Sequence, residues 1–143
     1  MLGKAALIGR CLRRIHTEYQ GHEHELTTNY TRQDAILLDQ QRVCEASIDA
    51  AMHLVRIHHL DLPTDSCQAF QMIAQAGLID AELARRLQTM VGFRNIAVHA
   101  YQEFDMDTVR GILEHRLTDL EALARCLVAL GLADNPRPLN PQR

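Results

Sequence analysis

Four side chains able to bind and break a phosphodiester crowd into one short stretch. The segment FRNIAVHAYQEFD runs from Phe93 to Asp105 and sets Arg94, Asn95, His99 and Tyr101 within eight consecutive positions. Cleaving RNA without a metal needs a base for the ribose 2′-hydroxyl proton, a donor for the leaving oxygen, and positive charge on the phosphate. Histidine titrates near neutrality and serves as base or acid, alone or as a symmetric pair. Arginine stays charged and grips phosphate oxygens with a fixed fork of donors. Asn95 is placed to orient either group, and Tyr101 adds a hydroxyl.

Helix geometry complicates this arrangement. At about 100° per residue, Arg94 and Tyr101 share a face, whereas His99 lies about 140° round from Arg94. A straight helix in a single chain cannot aim both at one point. Either the helix ends or kinks near Ala97–Ala100, or a second chain supplies part of the site. The plain alternative is that His99 is an ordinary helical histidine and Arg94 pairs with a neighbouring carboxylate. Spacing alone leaves both readings open.

The elements that must carry the stretch are helical. The chain has 143 residues, enough for one domain with a real core, and no tryptophan. Aromatic residues are only 4%, so Leu, Ile, Val and Ala must fill the interior. Ala5, Ile8, Leu12, Ile15, Tyr19, His22 and Leu26 form one stripe in steps of three and four. Ile36, Val43, Ser47, Ala50, Leu54 and Ile57 form a second, with a jump of seven after Ile36. GHEHELTTNY either makes the corner between them or prolongs the first helix. HHLDLPTDS is a loop, because Pro63 biases Leu62 away from helix and Asp65 with Gln68 makes a cap-like pair. A short helix is expected over Ser66–Ala76, stopped at Gly77. Another starts at Asp80, with Glu82 at its positive end, and carries Leu83, Leu87, Met90 and Val91 into the Arg94 stretch. One last helix is expected from Asp105 or Asp107 to Gly131. The sum is all-α: an antiparallel up-down bundle of four main helices plus a short one. The domain is expected over residues 1–132, and the Pro-rich tail 133–143 is expected to be disordered.

Composition closes off several classes. No run of 18 apolar residues exists, so no membrane span is expected. A net charge of −3 argues against a general nucleic-acid coat, since such affinity comes from displacing counterions. Any contact with RNA must be local. Cys11, Cys44, Cys67 and Cys126 stand singly and read as reduced thiols of a cytoplasmic protein. His22 and His24 point about 200° apart on a helix and chelate only in a loop. His53, His58 and His59 add no ligand spacing, so no metal or cofactor is expected. Asp49 and Glu45 share a helix face. Asp49, close to the apolar stripe, is a candidate to hold Arg94 or His99, with a solvated face as the alternative. Arg85 and Arg86 form a candidate positive rim near Arg94. Arg10, Arg13 and Arg14 form a second basic cluster.

RNIAVHAY fits Arg-polar-x3-His-x-Tyr and resembles the motif of the HepT-type members of the HEPN superfamily (DUF86-type), which are small all-helical ribonuclease toxins. The resemblance extends through CEASIDAAMHLV and LPTDSCQAFQMIAQAGLIDAELARRLQTMVGFRN, covering roughly Thr31 to Val128. It does not include the first helix. It implies a HEPN-like dimer whose two chains pool Arg94 and His99 in an interface cleft to cut RNA without metal. Asn95, Tyr101 and Asp49 would support that pair. It further implies that an MntA-type nucleotidyltransferase antitoxin AMPylates Tyr101, so that an adenylyl phosphate fills the phosphate site. The chain would then be the toxin of a type II toxin–antitoxin system, with RNA and the antitoxin as partners and no role for DNA or membranes. The basic residues of the first helix would contact antitoxin or RNA, or simply face solvent. The alternative is a non-catalytic helical subunit that binds a nucleotide or partners a nucleotidyltransferase.

Overall fold

The computed structural model describes the backbone of residues 2–99 and 106–134, and the side-chain surroundings of residues 3–92 and 107–131. Six α-helices follow in order: α1 Leu2–Tyr19, α2 Tyr30–Ile57, α3 Ser66–Gln75, α4 Ala81–His99, α5 Met106–His115 and α6 Leu117–Asp134. No strand occurs among the described residues. The long helices α1, α2, α4 and α6 make the bundle, with α2 packed against α1, α3, α4 and α6.

The first stripe buries as its spacing requires: Ile8, Cys11, Ile15 and Leu26 are fully buried, and Ala5 and Tyr19 nearly so. GHEHELTTNY is the corner and does not extend α1. Gly21 turns the chain at φ 82°, and a 3₁₀ turn, Glu23–Glu25, follows. Asn29 then caps α2, its side chain accepting from the Arg32 amide at 3.1 Å. The Arg32 guanidinium reaches back to the Glu18 carbonyl at 2.8 Å and its carboxylate at 3.1 Å, clamping the corner shut.

α3 begins and ends as its residues dictate. Asp65 accepts from the Gln68 amide at 2.8 Å, and the Gln68 side chain accepts from the Thr64 hydroxyl at 2.9 Å. At the other end Gly77 takes φ 80°. Its amide bonds to the Ala74 carbonyl at 3.0 Å, and the Leu78 amide bonds to Ile73 at 2.9 Å. This is a Schellman turn, which needs a residue at positive φ. Phe70 on α3 is the largest fully buried side chain among the described residues.

Two expectations fail in the C-terminal third. One helix was expected from Asp105 or Asp107 to Gly131. Instead the ladder breaks at Arg116, where the Asp119 amide bonds to the Arg116 carbonyl at 3.1 Å and separates α5 from α6. The bundle therefore has two short helices, α3 and α5, where one was expected. The break has a local anchor: buried Asp119 faces both Arg116 at 4.0 Å and Arg86 of α4 at 3.6 Å. The expected stop at Gly131 also fails, since α6 runs on to Asp134. A glycine inside a helix costs only about 1 kcal/mol, too little by itself to end one. Residues 135–143, most of the expected tail, lie outside the described residues.

The placement of α5 matters most for the motif, because it begins at Met106, seven residues after His99. Besides its packing on α6, it is fastened to the end of α1 by polar groups. The Tyr19 hydroxyl donates to Glu114 Oε2 at 2.6 Å and accepts from Arg110 Nη1 at 3.1 Å. Arg110 also donates to the Glu23 carbonyl at 3.0 Å, and its guanidinium carbon lies 6.0 Å from the Tyr19 ring centre. Burial, then the bond to Glu114, pushes the Tyr19 hydroxyl above its usual range near 10.

Phe70→Ala should lower unfolding free energy by about 3–5 kcal/mol, and Asp65→Ala by about 1 kcal/mol, as read from urea midpoints. Tyr19→Phe should cost about 1 kcal/mol. Because the phenol is held protonated in the fold, its contribution is complete below pH 10 and is lost as pH rises through its raised native value. The variant should therefore show a flatter alkaline limb in a pH–stability profile.

Candidate functional site on α4

α4 is built to deliver its last two turns rigidly. Asp80 accepts from the Glu82 amide at 3.1 Å at the helix start. Leu83, Ala84, Leu87, Met90 and Val91 are buried along one side. The Gln88 side chain donates to the Cys67 carbonyl of α3 at 2.6 Å. The helix then continues without interruption through Arg94, Asn95 and His99.

That continuity fixes where the motif positions sit around the axis. Position 94 lies about 20° from the line of buried Leu87. Position 99 lies about 20° from Gln88 and about 40° from exposed Arg85. The arginine position thus follows the bundle-facing line, and the histidine position follows the line towards solvent. Between them the angle is about 140°. No break separates Arg94 from His99, so the helix does not bring the two together within one chain. Tyr101 lies outside the described residues, as do the side-chain surroundings of Arg94, Asn95 and His99.

Asp49 lies on an exposed part of α2, its carboxylate 3.4 Å from Lys4 of α1 and its side chain 62% exposed. Its described partner is therefore on α1. Glu45, one turn earlier, is exposed as well. Arg85 and Arg86 do not form an open positive rim. Both pair with Glu82, Arg86 at 3.5 Å, and Arg86 also reaches the buried Asp119.

The histidines are scattered. His22 pairs with Glu25 at 2.8 Å beside the 3₁₀ turn. His58 and His59 occupy the loop after α2, His59 at φ 55°. Burial, followed by nearby positive charge, holds His53 below its usual value. Among the described residues no three His, Cys, Asp or Glu side chains converge in a metal-holding group. All four cysteines are free. Burial, then Asp39, raises the Cys11 thiol. No described helix is long and apolar enough to cross a membrane.

Two polar features went unread in the sequence. The Tyr19–Arg110–Glu114 fastening left one trace: a tyrosine on an apolar stripe needs a partner for its hydroxyl. The second is the buried pair Asp39 and Gln40 on α2. They occupy the gap between Ile36 and Val43, and that step of seven was the available signal.

Comparison with known proteins agrees with this architecture. The family model for ribonuclease HepT-like proteins matches residues 8–127. The mRNA nuclease HepT of Shewanella oneidensis is 42% identical over 121 residues, covering 85% of this chain and 90% of that protein. Among solved structures, the tri-AMPylated Shewanella oneidensis HEPN toxin in complex with its MNT antitoxin superposes with a TM-score of 0.82. It is 41% identical, and the match covers 89% of this chain and 95% of the toxin. A toxin–antitoxin structure with AMP-PNP gives a TM-score of 0.83 at 40% identity, covering 89% and 96% of the two chains. A match that spans nearly the whole bundle, the first helix included, places this chain in the ribonuclease HepT-like family.

Proposed function

We propose that this chain is a metal-independent endoribonuclease that acts as a homodimer, the toxin half of a type II toxin–antitoxin pair working in the cytoplasm. The observation that carries the proposal is the unbroken helix through Arg94 and His99. Two positions about 140° apart on one rigid helix serve a single phosphate if a second copy brings its own α4 alongside. Each composite centre then takes its guanidinium from one chain and its imidazole from the other.

In that arrangement a neutral His99 imidazole removes the proton from a ribose 2′-hydroxyl. The freed oxygen attacks the adjacent phosphorus, and the P–O bond to the 5′-oxygen of the next nucleotide breaks. The same imidazole, now protonated, delivers that proton to the leaving oxygen. The products are a 2′,3′-cyclic phosphate and a 5′-hydroxyl. Arg94 holds the phosphate oxygens while negative charge builds on them. Asn95 orients one of the two groups, and Tyr101 lines the approach. The exposed pairing of Asp49 with Lys4 supports the solvated-face reading over a part in this centre.

Control follows from the same geometry. The relatives include a tri-AMPylated toxin held by its MNT antitoxin. We extend this to Tyr101 here. Its hydroxyl oxygen attacks the α-phosphorus of ATP on an MntA-like nucleotidyltransferase, pyrophosphate leaves, and the phenolic proton goes to solvent. The resulting phosphodiester sits two residues from His99 and occupies the place of the RNA phosphate.

His99→Ala and Arg94→Ala should each lower RNA cleavage by at least 100-fold, leave the melting temperature within a few degrees of the parent, and abolish growth inhibition. Activity should survive EDTA, and the ends formed should be 2′,3′-cyclic phosphates. Equal cleavage by the parent and the His99 variant would end the catalytic reading. Intact RNA together with tight AMP or ATP binding would favour a non-catalytic nucleotide-binding subunit. After co-expression with the antitoxin, the intact mass should rise by whole adenylyl groups, and Tyr101→Phe should remove them.

A further inference from the structure

Arginines on this acidic chain fall into two groups. Some are engaged: Arg85 and Arg86 with Glu82, and Arg86 and Arg116 with Asp119. Arg32 is spent on the corner, and Arg110 on Tyr19 and Glu23. On the seam between α1 and α2 the balance is different. Arg14 and Arg42 approach the same buried carboxylate oxygen, Asp39 Oδ1, from opposite helices at 3.8 Å and 3.7 Å. Both distances exceed a hydrogen bond, and that oxygen accepts none. Arg14 and Arg42 are half-exposed, and Arg10, one turn before Arg14, is exposed. Arg14, Arg42 and Arg10 each pull the Cys11 thiol down against the effect of its burial. Among the described residues Arg10 makes no ion pair.

Two guanidinium groups therefore stand over a single carboxylate, with Arg10 one turn before Arg14 on the same helix, and their N–H forks are largely unspent. Each carries five donors. Arg10 and Arg14 are separated by about 6 Å along α1, and Arg42 faces them from α2. We propose that this α1–α2 face, built from Arg10, Arg14 and Arg42 over buried Asp39, is a docking surface for the sugar–phosphate backbone of single-stranded RNA, separate from the cleavage motif. It rests on the proposed nuclease reading. A chain of net charge −3 that must hold a polyanion needs an attractive surface somewhere. The α4 arginines before the motif are neutralised by their own carboxylates. Lone surface cations such as Arg56 and Arg125 offer one charge each, whereas this face offers a net surplus of two. Asp39 serves as the floor that keeps Arg14 and Arg42 side by side.

The test measures binding of a labelled single-stranded RNA by fluorescence anisotropy across a salt series. It uses the full-length chain carrying His99→Ala, so that the probe stays intact. Arg10→Glu, an exposed change that removes no described partner, should weaken binding several-fold. It should also reduce the slope of log affinity against log salt by about 0.7. Adding Arg42→Gln should weaken binding at least tenfold and take about 1.4 from the slope in all. With His99 restored, the same variants should cleave a dinucleotide at the parental rate while cleaving long RNA more slowly at low substrate. Parental affinity and slope in Arg10→Glu would overturn the proposal. Loss of antitoxin binding with RNA affinity unchanged would also overturn it, by making the face a protein contact. A chain that binds RNA through this face but cuts nothing would fail the nuclease reading and leave this inference standing.

Discussion

The pitch of one helix governs this molecule. A step of five residues on an α-helix turns about 140°, and α4 stays helical across the step from Arg94 to His99. A single chain therefore sets these two positions on different sides of one helix. Under the proposed mechanism a lone chain is inert, the chemistry belongs to the assembled pair, and whatever occupies their shared groove controls both chains at once.

The surrounding fold makes that separation rigid. Buried Leu83, Leu87, Met90 and Val91 lock the rotation of α4 against α2 and α6, and Gln88 ties it to α3. After the motif comes α5, held by buried Val109, Ile112 and Leu113 and by the Tyr19 hydroxyl, which bonds to Glu114 and Arg110. Polar fastening of this kind is directional, so it sets where α5 begins with little buried area. Charge is distributed with similar economy. Glu82 and Asp119 pair with the arginines that precede the motif on α4, whereas Arg14 and Arg42 share one carboxylate on the α1–α2 seam.

Much of the bundle was legible in the sequence because its signals are local. Gly77 had to take positive φ to end α3, and it does. Asp65 with Gln68 read as a cap and is one. The stripes on α1, α2 and α4 bury most of the residues their spacing singled out, although Leu12 and His22 are only half-buried and Ile57, at the end of α2, is exposed. What stayed hidden depends on tertiary partners. The break at Arg116 has no proline or glycine to announce it; it coincides with buried Asp119 meeting an arginine from α4, a contact no local pattern encodes. Gly131 read as a stop, yet α6 runs past it to Asp134. The residue types in the motif suggested phosphodiester chemistry without deciding it, and the family resemblance carried that reading. Spacing left a kinked helix and a second chain equally open, and α4 is unbroken from Arg94 to His99.

Subunit mixing tests that arrangement directly. Chains carrying Arg94→Ala and chains carrying His99→Ala are each expected to be inactive alone. Unfolded and refolded together, they form mixed dimers that keep one centre with an intact arginine from one chain and an intact histidine from the other. The account predicts that RNA cleavage returns in the mixture, approaching half the parental rate per mixed dimer. Mixed dimers that form, as shown by native mass spectrometry, yet remain as inactive as either variant alone would contradict it.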